Sequence, residues 1–106
     1  MFIVFDDLDM LDFFESEPIS IGEEEEAKYI YSIHDSNHLS MVLTVDTYAK
    51  NVAISIRYSD YTIFSGEFDN VSEIRKSENC LLVKIEGEKR LVLKKEGCLG
   101  VVIEKI

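Results

Sequence analysis

The sequence predicts a mainly β fold, α+β only at its margin. An antiparallel meander of seven or eight strands forms a barrel-like sheet or a two-layer sandwich, with one short N-terminal helix. Three observations carry that reading. Apolar and polar residues alternate with period two from about residue 27 onward, as half-buried strands require. The breaks between the alternating runs are short and rich in turn residues, which joins antiparallel neighbours rather than parallel crossovers. The chain has 106 residues, 46% of them hydrophobic, and a single proline, which is the composition of one globular domain spanning residues 1–106.

The elements follow in order. "FIVF" reads as a short strand. Asp7 is placed to cap a helix over Leu8 to Ser16 that Pro18 ends. At about 100° per residue, Leu8, Met10, Leu11 and Phe14 share one arc, while Asp9, Asp12 and Phe13 lie on the other. Phe13 therefore either tucks under a loop or is an exposed contact residue. "KYIYSIH" opens the run of strands. "SMVLTVDTY" turns Met41, Leu43 and Val45 to one face. "NVAISIRYS" does the same with Val52, Ile54, Ile56 and Tyr58. "YTIFSGEF" and a weaker strand around Val71 to Lys76 come next. "CLLVKIEGE" points Leu81, Val83 and Ile85 inward, "RLVLKKE" Leu91 and Leu93, and "CLGVVIEKI" Leu99, Val101 and Ile103.

Charge is distributed unevenly. The net charge is −10, and residues 1–26 hold ten acidic residues and no Lys or Arg. Residues 27–106 hold eleven acids and eleven bases, so the excess belongs to the first quarter. Direct binding to nucleic acid or to an anionic membrane surface needs the opposite sign. No apolar run approaches the roughly 20 residues of a membrane helix, and "MFIVFDDLDM" lacks the basic region of a signal peptide. The expectation is a cytoplasmic protein that is a monomer or weak dimer.

No constellation reads as catalytic or metal-binding, and no cofactor is expected. "HDSNH" carries both histidines, but it reads as a turn, where spacing of four does not align two ligands. Cys80 and Cys98 each open a strand with one strand between them, about 9–10 Å apart, beyond disulfide reach. Two free thiols are expected. The five tyrosines lack the surrounding Lys and Arg of a base-stacking platform. There is no P-loop, G-x-S-x-G or H-E-x-x-H. Adjacent carboxylates in a solvated segment rarely have the shifted pKa that acid–base catalysis needs.

What remains is the acidic quarter. "GEEEE", with Glu23, Glu24, Glu25 and Glu26, is either a solvated loop or, with the helix, part of an acidic patch that captures a basic protein. The candidate partner-binding residues are Asp9, Asp12, Phe13, Glu15 and Glu23 to Glu26. In "LDFFESEPISIGEEEEAKYIYSI" and the meander that follows, the chain resembles the small acidic immunity proteins of bacterial polymorphic and contact-dependent toxin systems. The resemblance lies in whole-chain character rather than in a motif, so it assigns no residue a role. It implies a non-enzymatic inhibitor that occludes a basic toxin or nuclease domain with an acidic face. Two alternatives stay open: a small-ligand-binding β-barrel and a self-associating structural β domain.

Overall fold

Alternation in the sequence becomes two open five-stranded sheets packed face to face. The structure is a computed structural model that describes residues 2–21, 27–87, 89–95 and 98–105. Its elements are β1 (Val4–Phe5), α1 (Asp7–Phe14), β2 (Ile19–Ile21), β3 (Lys28–His34), β4 (Leu39–Asp46), β5 (Asn51–Tyr58), β6 (Tyr61–Phe68), β7 (Val71–Ser77), β8 (Cys80–Ile85), β9 (Lys89–Lys94) and β10 (Gly100–Lys105). One sheet runs β2-β3-β4-β5-β6 and the other β1-β7-β8-β9-β10. The fold is thus a two-layer sandwich, and the sheets do not close into a barrel.

Strand count and direction depart from the expected meander at the N-terminus. Among the described residues there are ten strands, because β1 and β2 add one short strand to an edge of each sheet. β1 pairs with β7 in parallel, whereas the other pairings are antiparallel. All three β2 residues are exposed, so no alternation marks them as a strand.

The inner faces are those the alternation indicates. Met41, Leu43, Val45, Val52, Ile54 and Ile56 from one sheet meet Leu81, Val83, Ile85, Leu91 and Leu93 from the other in one core. Each such side chain contributes about 1.5–3 kcal/mol on burial. Two positions differ. A register shift between Ile56 and Arg57 ends the alternation, and Tyr58 is exposed. On β10, an edge strand, Val101 is only partly buried and Ile103 is 53% exposed.

Polar ties close the two ends of the sandwich. Where β6 passes to β7, Val71 N donates to Lys50 O at 2.9 Å and Asn51 Nδ2 to Asp69 Oδ1 at 2.8 Å, while Lys50 pairs with Glu86. In the turn between β3 and β4, Asp35 Oδ1 accepts from Asn37 N at 2.8 Å and Leu39 N at 3.0 Å. Its Oδ2 accepts from Leu99 N at 3.3 Å, joining the two sheets through one carboxylate. "HDSNH" is thus a turn between strands, with His38 against the Tyr58 ring at 6.4 Å. Cys80 and Cys98 are free thiols, on opposite sides of β9.

Candidate functional site

α1 forms where the sequence places it but is bounded and rolled differently. Asp6 rather than Asp7 is the N-cap, its Oδ1 accepting from Leu8 N at 2.7 Å. The helix stops at Phe14, not Ser16, because Glu15 takes a left-handed conformation at φ 58° and returns its N–H to Leu11 O. The buried stripe is Met10, Phe13 and Phe14, spaced i, i+3, i+4. Leu8 is 72% and Leu11 42% exposed. Two phenylalanines offer more area than two leucines, and their rings pack edge to face at 5.0 Å. Phe14 then stacks on Tyr31 at 5.2 Å.

Of the two places open to Phe13, the structure has it inside: it is fully buried, at 0% exposure, and offers no surface on the folded chain. Truncating such a side chain costs about 3–5 kcal/mol, so lost binding in a Phe13 variant would report lost folding.

Asp9, Asp12 and the C-cap Glu15 lie on the side of Lys76 in β7 and Lys95 just after β9. Asp9 Oδ2 accepts from Lys76 N at 3.1 Å. Asp12 lies 2.7 Å from Lys76 Nζ, and the hydrogen bond and charge of that ammonium hold the Asp12 carboxyl below its usual range. Lys95 Nζ donates to Phe13 O at 2.9 Å and Asp12 O at 3.3 Å, lies 3.7 Å from Glu15 Oε2 and sits over the Phe13 ring. It satisfies carbonyls left open at the helix end and complements the helix dipole. Asp9, Asp12 and Glu15 are thus brought together, but with two lysines among them. Glu23 to Glu26 lie outside the described residues.

The opposite side of α1 is different. Asp7, Leu8 and Leu11 from the helix, Glu17 and Pro18 from the link after it, Ser20 from β2, and Tyr29 and Tyr31 from β3 line an open groove of about 350 Å³. Among the described residues neither Asp7 nor Glu17 has an ion-pair partner. Tyr31 is only 2% exposed. Burial pushes its phenol up to about 12, helped by the charge of Asp7 and by Tyr29. Leu8 and Leu11 belonged by helical arc to the core, and Asp7 to the cap. What would have moved them is the aromatic pair, which outcompetes the leucines for the interior.

Elsewhere, the solvent face of the second sheet pairs Glu73, Lys84, Arg90 and Glu104 across four strands, with Arg75 beside Glu73 at 3.7 Å. Among the described residues no three His, Cys, Asp or Glu converge in a way that could hold a metal ion. No helix there is long and apolar enough to cross a membrane.

No protein-family model and no curated protein matches the chain. Its fold is similar to that of a chain in a contact-dependent growth inhibition toxin–immunity protein complex from Klebsiella pneumoniae 342. The TM-score is 0.85, the likeness covers 100% of both chains, and 19% of residues are identical. At that identity the likeness speaks for the fold alone.

Proposed function

We propose that this chain is a non-enzymatic, immunity-type inhibitor that binds a toxin domain in the bacterial cytoplasm and covers a basic working surface on it. The observation that carries the reading is the full-length likeness to a chain of a toxin–immunity complex. The charge supports it: the excess of −10 comes from residues 1–26 and favours capture of a cationic protein. The open sheets remove the small-ligand barrel as an alternative, since the interior is filled by one apolar core.

The test is protection from growth arrest. The C-terminal domain encoded by the reading frame next to this one is expressed from an inducible promoter, with and without this chain. Arrest by that domain alone and growth with both is the expected outcome. Arrest that persists when this chain is in excess, or a neighbouring domain that does not arrest growth, overturns the reading.

A further inference from the structure

Most carboxylates of α1 are engaged within the molecule. Asp6 caps the helix, Asp9 holds a backbone N–H of β7, and Asp12 and Glu15 are paired with Lys76 and Lys95. Asp7 and Glu17 are the exceptions: both face the groove beside β3, and no described cation pairs with either. Between them the walls are apolar. Leu8, 72% exposed, and Leu11, 42% exposed, form the groove's apolar wall on the helix side.

Tyr31 is an independent sign. Its ring is locked against Phe14 at 5.2 Å and almost wholly buried, yet it lines the groove. Its phenol feels the Asp7 charge and helps line the acidic, apolar-walled groove, where a hydroxyl can donate to or accept from an incoming ligand. About 350 Å³ is near the lower end for ligand pockets and suits one long side chain rather than a folded segment. A lysine or arginine fits the pattern, with an aliphatic stem for the leucines and a cationic head for the carboxylates.

We propose that this groove receives one cationic side chain, lysine or arginine, from the partner protein, with Asp7 and Glu17 holding the charge, Leu8 and Leu11 the stem, and Tyr31 a further hydrogen bond. The partner comes from the inhibitor reading, but the test does not depend on it. Backbone amide spectra of the whole chain are titrated with N-acetyl-arginine methylamide, N-acetyl-lysine methylamide and the neutral isostere N-acetyl-citrulline methylamide. Saturable shifts confined to Leu8, Leu11, Tyr29, Tyr31 and their neighbours are expected with a cationic amide and not with citrulline. Asp7→Asn with Glu17→Gln should weaken binding roughly fivefold, the sum of two exposed ion pairs, while Asp12→Asn with Glu15→Gln leaves it unchanged. Glu17→Gln alone, outside the helix, repeats the measurement if the double variant is unfolded. Shifts spread over the surface, equal response to citrulline, or equal weakening by both double variants would overturn the proposal. Groove binding without growth protection sinks the inhibitor reading alone. Growth protection with no response to either cationic amide sinks the groove alone.

Discussion

Asp35 shows how one side chain does several jobs. Partial burial works against its charge, but the backbone N–H groups of Leu39, Asn37 and Leu99 outweigh it and hold the carboxyl below 3.8. A carboxylate with a lowered folded pKa stabilises the protein fully above its unfolded value and loses that contribution as pH falls through the folded one. Asp35→Asn should therefore lower the urea midpoint near neutral pH and flatten the acid limb of the stability curve. Equal midpoints at about pH 7 for variant and wild type would refute this role. The turn itself was legible, because Asp, Ser and Asn between two alternating runs have few other uses. The bond to Leu99, 64 positions away, has no local trace in the sequence. Phe13 makes the same point from the other side: helical arc puts it with the carboxylates, and only competition among apolar side chains for a limited interior puts it inside.

Strands longer than five residues were readable because alternation and burial are the same fact seen twice. β2 was not, having three residues and no buried face, and neither was the parallel pairing of β1. α1 sits between these cases. Its existence and its acid-rich cap follow from local sequence, but Lys76 and Lys95, which hold it once the aromatic stripe has set its roll, lie more than sixty residues downstream. Lys95 is the stronger anchor, since its ammonium reaches two helix carbonyls and a ring. Lys95→Met keeps the stem and removes the charge. It should cost roughly 1–2 kcal/mol in denaturant unfolding and speed amide exchange in α1 ahead of the strands. A variant as stable as wild type, with unchanged exchange in α1, would show that the aromatic stripe alone fixes the helix.

At the scale of the molecule the charge is arranged rather than spread. Lys76 and Lys95 balance one side of α1, and Arg75, Lys84 and Arg90 gather on the second sheet. Asp7 and Glu17 by the groove have no ion-pair partner among the described residues, and Glu23 to Glu26 add four more charges in the sequence. The acidic quarter was legible as a count, and the pairing of Asp12 and Glu15 with lysines was not, because those partners are distant in the chain. If the excess steers a basic partner, changing Glu23 to Glu26 to lysine should weaken capture about tenfold and flatten its dependence on salt without lowering thermal stability. Identical affinity and salt slope in the reversed variant would separate the four glutamates from docking.

The order of strands within each sheet also governs how the chain is built. The β2–β6 sheet is a continuous stretch of sequence, so it can assemble as soon as residue 68 has left the ribosome. Its companion needs both the second strand-forming half and the two residues of β1, which must wait through the synthesis of nearly everything else. A nascent chain thus passes through a stage with one finished layer whose oily side has nothing to lie against, the point at which chaperones or aggregation would claim it.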